Sequence, residues 1–141
     1  MPLKVGLVGC GSVSQRGILP HLSQEDVRDR LRLAAVCDVV AERAEACKRR
    51  FNADQHYGDY DVMLSEAGLD AVTIATPTQL HFEQAMKAMR AGVSVHINKP
   101  MALTMEEADV LLEERDRTGV KLVVSPGTAL HGDVQRVRAL L

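Results

Sequence analysis

"LKVGLVGCGSVSQRGILPHL", residues 3–22, joins an apolar run to a glycine-rich turn and then to a segment with helical spacing. Leu3 to Val8 reads as a buried strand, and a helix is predicted to open near Ser12 or Val13. Between them stand Gly9 and Gly11, the first placed to let the chain turn sharply and the second to let backbone approach a pyrophosphate. Ser14 occupies the third position, where close packing of helix on strand ordinarily asks for glycine. A small side chain is accommodated there by a slightly wider gap, so the serine narrows the phosphate-loop reading without cancelling it. The amides and positive dipole end at Ser12 and Val13 would then face the phosphates. Taken alone, the same residues also suit a glycine-rich turn with no ligand.

The second strand adds weight to the ligand reading. Leu31 to Cys37 is another apolar run, and it is followed by Asp38. That is about the interval at which an acidic residue accepts the two hydroxyl hydrogen bonds of an adenosine ribose. A carboxylate in that place repels a 2′-phosphate, which favours NAD over NADP unless a cation compensates, and Arg43 is the nearest candidate. The competing structural role for Asp38 is to cap a helix that starts before Ala41.

Three further runs read as strands: Ala71 to Ala75, Val93 to Ile97 and Lys121 to Val124. Gln55 to Tyr57 reads as a short strand followed by a helix near Tyr60 to Glu66. Between the strands, Ala41, Ala44, Cys47 and Phe51, and later Phe82, Ala85, Met86 and Met89, repeat at helical spacing and give each segment one apolar face. Thr104 followed by Glu107 forms a capping box that opens a helix through about Arg117, and Gly119 closes it. Gly68 and Gly92 stand in the same relation to the helices before them. Alternation of this kind predicts an α/β fold: a doubly wound, mainly parallel sheet with helices on both faces.

Composition sets the remaining bounds. The 141 residues are enough for one domain with its own core, and that core must be aliphatic, since hydrophobic residues make up 46% of the chain and aromatic ones only 3%. Seventeen basic and nineteen acidic residues nearly cancel, and no basic patch is interleaved with aromatics, which argues against a nucleic-acid partner. The longest basic run, Lys48-Arg49-Arg50, falls where cations complement the end of a helix dipole. Cys10, Cys37 and Cys47 make neither a complete disulfide set nor a metal-ligand pattern, so no metal is expected and a reducing cytoplasm is the expected compartment. No signal peptide and no apolar stretch of about 18 residues stands in the sequence, so no membrane partner is expected.

Later motifs are more specific than the glycine loop. Ala75-Thr76-Pro77, His81, Asn98-Lys99-Pro100 with Ala102-Leu103-Thr104, and Gly119-Val120-Lys121-Leu122 follow Gly9-Cys10-Gly11 and Asp38 in an order that resembles the N-terminal half of the Gfo/Idh/MocA oxidoreductases. The resemblance covers essentially the whole chain and extends, less closely, through His131. It implies a Rossmann domain over residues 1–126, with 127–141 as the start of a second, substrate-shaping domain that is absent or truncated. It further implies a cytoplasmic enzyme that uses NAD or NADP to oxidise or reduce a sugar, polyol or related molecule. The parent protein could be a homo-oligomer, because the family often associates through the sheet of the second domain.

Individual residues follow from that resemblance and from their own chemistry. Gly9, Gly11, Ser12 and Val13 would hold pyrophosphate and Asp38 the adenosine ribose. Thr76-Pro77 ends a strand at the ligand edge, where the Thr76 hydroxyl can meet a ribose or amide group, while Thr78 either caps the next helix or touches ligand. His81 either reaches the cofactor edge or is satisfied inside the fold. The resemblance makes Lys99 the residue that binds and polarises the substrate oxygen, where an ammonium stabilises a developing alkoxide, and Lys99 also counts among the cofactor contacts, close to where the nicotinamide should sit. Asn98 counts among the cofactor contacts, yet the family usually has glutamate before the lysine and proline; an amide keeps the hydrogen bonds and loses the charge. Ser125-Pro126-Gly127-Thr128-Ala129 also departs from the family's aromatic, asparagine and arginine positions. The family's Asp and His acid/base pair has no counterpart in these residues.

Two other functions compete with the oxidoreductase reading. A non-catalytic NAD(P)-binding redox sensor is compatible with Asn98 and with the altered segment after Ser125. A methyltransferase using S-adenosylmethionine would share the glycine loop and the acidic residue, but has no place for Thr76-Pro77 or Asn98-Lys99-Pro100.

Overall fold

The computed structural model describes residues 1–125 and 132–140. The segment 126–131, which includes His131 and the proposed domain boundary, lies outside the described residues, as does Leu141. Six strands form one parallel sheet: β1 (Leu3–Val8), β2 (Leu31–Cys37), β3 (Gln55–Tyr57), β4 (Ala71–Ile74), β5 (Ser94–Ile97) and β6 (Leu122–Val124). Their order across the sheet is β3-β2-β1-β4-β5-β6. The chain therefore winds outward in one direction from β1 and then in the other from β4, which leaves a crevice where the winding reverses.

Continuous apolar runs form the central strands because both faces are covered. Leu33 through Cys37 are all buried, as are Val5 and Gly6 through Val8. On one face Leu7, Leu33 and Val36 pack with Leu19, Cys47 and Phe51, which come from α1 (Leu19–Leu22) and α2 (Ala41–Phe51). On the other, Val8, Val72, Ile74 and Ile97 pack with Met63, Met89 and Leu111. Those three belong to α3 (Tyr60–Glu66), α4 (His81–Arg90) and α5 (Met105–Thr118). Each fully buried aliphatic side chain of this set contributes about 1.5–3 kcal/mol. A last helix, α6, spans Gly132–Leu140. Among the described residues, no helix is long and apolar enough to cross a membrane.

Register sets up the site. Val8 pairs with Cys37 on one side and Ile74 on the other, and Ile74 pairs with Ile97. The residues that follow these strands, Gly9, Asp38, Ala75 and Asn98, therefore leave the sheet side by side at its carboxyl edge.

Boundary chemistry behaves largely as the sequence predicts. Thr104 accepts a hydrogen bond from the Glu107 amide at 3.2 Å, and the Glu107 carboxylate accepts one from the Leu103 amide at 2.9 Å. Gly119 closes α5 in the left-handed conformation at φ 73°. Thr78 is not a cap. A short 3-10 turn, Thr78–Leu80, leads into α4, and the Leu80 amide bonds to Pro77 O at 2.9 Å, so the turn satisfies its own backbone.

The helix after the glycine loop holds a feature absent from the sequence reading. It opens at Ser12, as predicted, but widens to a π-helical turn over Ser14–Ile18 before α1. Pro20, in the first turn of α1, has no N–H to return to Arg16 and its ring crowds that carbonyl. A wider turn relieves both.

Glu114 joins α4 and α5. It is buried on α5 and takes a two-pronged bond from Arg117 (2.7 and 2.8 Å) and a third from Arg90 of α4 at 3.1 Å. The Arg117 guanidinium, helped by Arg90, holds its carboxyl well below the usual range, from 4.5 down to about 2. Because the folded value lies below the unfolded one, the stabilisation is complete above about pH 4.5 and is lost as pH falls toward 2. Glu114→Gln should therefore be less stable than wild type at pH 6, with the difference shrinking between pH 4.5 and 2 in urea unfolding. A difference that stays constant across that range would refute the assignment.

Candidate functional site

Gly9 must be glycine for the fold itself. Its φ is +93°, and a Cβ there would stand 2.7 Å from Ala75 O. Gly11 is the opposite case: a Cβ there would meet nothing within 4 Å. Packing does not require glycine at position 11, so the space in front of its backbone is open to a ligand.

Three hydrogen bonds fix the loop between these positions. The Cys10 amide donates to Asp38 Oδ2 at 2.8 Å, the Gln15 side-chain amide donates to Cys10 O at 2.9 Å, and the Ser14 hydroxyl donates to Gly9 O. Ser14 is fully buried. The serine in the third position thus does more than fit, since its hydroxyl ties the start of the helix back to the turn. Cys10 lies behind the loop with its thiol on Cys37 O at 3.6 Å, and burial pushes its ionisation up. Burial, helped by the Asp38 charge, pushes the Cys37 thiol up to about 12. Both are protonated packing groups and not nucleophiles.

Asp38 is 6% exposed. Its Oδ2 accepts from the Cys10 amide and from Arg43 at 3.3 Å, and its Oδ1 accepts from the Val40 amide at 2.9 Å. A carboxylate has about four acceptor sites, so three bonds leave room for one more, on Oδ1. One of the three comes from the half-exposed Arg43 side chain. The capping alternative is corrected as well: Val40 is the N-cap of α2, and Asp38 braces the turn before it.

A groove of about 380 Å³ lies at the carboxyl edge beside the winding reversal. It brings together Gly9, Gly11, Asp38, Thr76 and Pro77 of the predicted set, and adds Val39, Tyr60, Leu80 and Gln84. Ser12 lines an adjoining hollow with Gln15, Arg16, Arg43 and Arg50, and the Val13 side chain is exposed. A concavity of about 230 Å³ at the opposite edge, near Leu31 and Asp54, lies at the amino ends of the strands, the wrong edge for ligands in open α/β sheets.

His81 does not reach this groove. It is 1% exposed, with Nε2 2.9 Å from Thr76 O and Nδ1 2.8 Å from Pro100 O, so direct contact with a cofactor gives way to the structural alternative. Thr76 donates its hydroxyl to Gln84 Oε1 at 2.6 Å. Asn98 and Lys99 leave the sheet after β5, outside the residues that line the groove. The Asn98 amide continues the ladder to Ile74 O at 2.9 Å. Lys99 is exposed and, among the described residues, has no carboxylate partner, whereas Lys87 is paired with Asp61 and Glu83. Ser125 packs its hydroxyl on His96 Nε2 at 3.0 Å, and the rest of that altered segment lies outside the described residues. Among the described residues, no cluster of His, Cys, Asp or Glu could hold a metal ion.

Gln84 and Tyr60 were missed from the sequence. The signal for Gln84 was its spacing of four from Leu80, which puts both on one face of the helix that starts at the ligand edge.

Known proteins align with this architecture. Residues 3–126 match the GFO_IDH_MocA model, described as the oxidoreductase family with an NAD-binding Rossmann fold. A D-apiose dehydrogenase of Paraburkholderia graminis is 35% identical over 138 residues, covering 97% of this chain and 36% of the relative. The WlbA dehydrogenase of Bordetella pertussis, solved with NADH and UDP-GlcNAcA, superposes with a TM-score of 0.88 at 30% identity, over 99% of this chain and 41% of that one. A mutant 3-ketoreductase from Actinomadura kijaniata, solved with TDP-benzene and NADP, gives 0.91 at 26%, over 99% and 43%. The chain spans little more than a third of the length of the curated relatives it matches. With its glycine loop, its strand order and its match over nearly the full length, the chain belongs to the Gfo/Idh/MocA oxidoreductases, as their NAD-binding Rossmann domain.

Proposed function

We propose that this domain binds NAD across its carboxyl edge and serves hydride transfer to or from a sugar, polyol or related alcohol/carbonyl substrate in a reducing cytoplasm. The observation that carries the reading is the cradle at Gly11: a loop held through its Cys10 amide by Asp38 and through its Gly9 carbonyl by Ser14, with open space where a side chain at Gly11 would stand. A pyrophosphate fits that space, facing the amides of Ser12 and Val13. Bound there, NAD would supply the hydride acceptor or donor.

The protein's residues supply the rest. Asp38 offers its remaining Oδ1 acceptor site to the adenosine ribose, and its buried charge disfavours a 2′-phosphate in the same place. Arg43, half exposed and bonded to that carboxylate, is the group through which NADP would be accepted instead. Thr76 and Pro77 wall the groove, and Asn98 offers an amide beside Lys99. Lys99, which has no carboxylate partner among the described residues, donates from its ammonium to the substrate oxygen and stabilises negative charge as it develops there. The acid/base pair that completes the reaction comes from outside these residues, so the isolated chain binds cofactor with little or no turnover.

A thermal-shift titration tests the reading. NAD at about 100 times its dissociation constant should add about 2.7 kcal/mol of stability. A larger effect from NADP would transfer the discrimination from Asp38 to Arg43, and no effect from either would overturn the proposal. Lys99→Ala should change the NAD shift only modestly.

The two glycines should separate fold from function. Gly11→Ala should leave unliganded stability within about 0.5 kcal/mol of wild type and abolish most of the NAD shift. Gly9→Ala should cost about 2 kcal/mol or more before any ligand is added, because its φ and the Ala75 carbonyl both oppose a side chain. Equal behaviour of the two variants would contradict this division.

A further inference from the structure

The end of the groove beyond Asp38 is lined by Val39, Tyr60, Pro77 and Leu80, an apolar slot with Gln84 at its wall. Its polar groups are almost all spent. The Tyr60 hydroxyl donates to Gln84 O at 3.0 Å, and burial pushes its ionisation up, so it stays a donor committed to that carbonyl. The Thr76 hydroxyl donates to Gln84 Oε1 at 2.6 Å. Gln84 Nε2 has no hydrogen-bond partner among the described residues. Gln84 is therefore held at both its backbone and its side-chain oxygen, and as a residue that lines the slot it keeps a pair of uncommitted N–H donors.

With pyrophosphate on the Gly11 backbone and ribose at Asp38, the group that enters this slot is the base of the dinucleotide. A flat aromatic ring suits the apolar walls, and the ring nitrogens of adenine accept hydrogen bonds. We infer that Gln84 is a specificity-determining residue that donates from Nε2 to a ring nitrogen of the adenine, with Thr76 orienting it. The inference rests on the nucleotide-binding reading given above and adds to it a residue that discriminates by hydrogen-bond polarity.

Thr76 has a share in this arrangement that differs from the one expected of it. Its hydroxyl acts on Gln84, so removing the hydroxyl frees the amide to rotate and mixes acceptor with donor at the slot.

The test uses this chain, with NAD and ADP-ribose as probes in isothermal titration. ADP-ribose keeps the adenine, ribose and pyrophosphate and lacks the nicotinamide. Gln84→Glu keeps the shape and the acceptor for Thr76 but replaces the N–H donors by an acceptor; it should weaken both ligands about tenfold and by the same factor. Gln84→Leu, which loses the donor without adding a repelling oxygen, should weaken both by about three- to fivefold. Thr76→Val should fall between Gln84→Leu and wild type. Melting temperatures without ligand report whether the variants are folded, and a variant that has lost its fold is replaced by Gln84→Met, which should behave as the leucine variant does.

A wild-type chain that binds both ligands, with Gln84→Glu binding them equally well, would overturn the role of Gln84 and leave the nucleotide reading standing. Loss of NAD binding with ADP-ribose binding unchanged would overturn it too, because Gln84 would then face the nicotinamide. A folded wild-type chain that binds neither ligand would overturn both readings together.

Discussion

The 2.8 Å hydrogen bond from the Cys10 amide to Asp38 Oδ2 joins the ends of two neighbouring strands, and the ligand edge takes its shape from it. Twenty-eight residues separate the partners. Parallel pairing of Val8 with Cys37 brings them together, after which the carboxylate pulls the turn inward and buries Cys10 beneath it. Gly9 can follow only because it tolerates a positive φ against the Ala75 carbonyl. Gly11 is then carried to the surface with its backbone exposed to the crevice. A charge that is almost wholly inside the protein is stable here because two amides and one guanidinium surround it. Through the same bonds Asp38 shapes the turn on both sides of the crevice.

What the sequence made legible was whatever depends on neighbours in the chain. Leu3–Val8 and Leu31–Cys37 are the strands that were predicted, residue for residue, and even the short Gln55–Tyr57 strand with its helix Tyr60–Glu66 is where polarity and spacing put it. The other three strands differ from prediction by one residue at an end, where a helix stop or a loop takes over. Family resemblance and the glycine loop together pointed to the carboxyl edge of the sheet, where the groove lies. Harder to read were the consequences of bonds across the fold. That His81 is consumed by the Thr76 and Pro100 carbonyls depends on two loops meeting around α4, and neither loop announces it. The π turn at Ser14–Ile18 had a local cause in Pro20, but helical periodicity alone conceals a change of one residue per turn.

Polar residues at the groove show the same limit more sharply. Thr76 was read as a ligand contact because a hydroxyl at a strand end can serve one, and it does line the groove. Its proton, however, goes to Gln84, eight residues further on. A residue type tells what bonds are available; only the fold tells which are already used. For Asp38 the count falls from four acceptor sites to one, for Tyr60 and Thr76 the donors are committed, and for Gln84 two remain. Function at this edge follows from that remainder.

The same accounting separates the glycine loop from Lys99. Gly9, Cys10, Ser14 and Asp38 form a closed set of bonds at the β1 and β2 ends, rigid because each buried polar group is satisfied. Lys99 stands two strands away, exposed and unpaired among the described residues, and Asn98 beside it carries no charge to hold it. An ammonium left free in this way is oriented only when something with a complementary oxygen arrives. Rigidity lies on the other side of the crevice, in a loop whose buried polar side chains are all hydrogen-bonded.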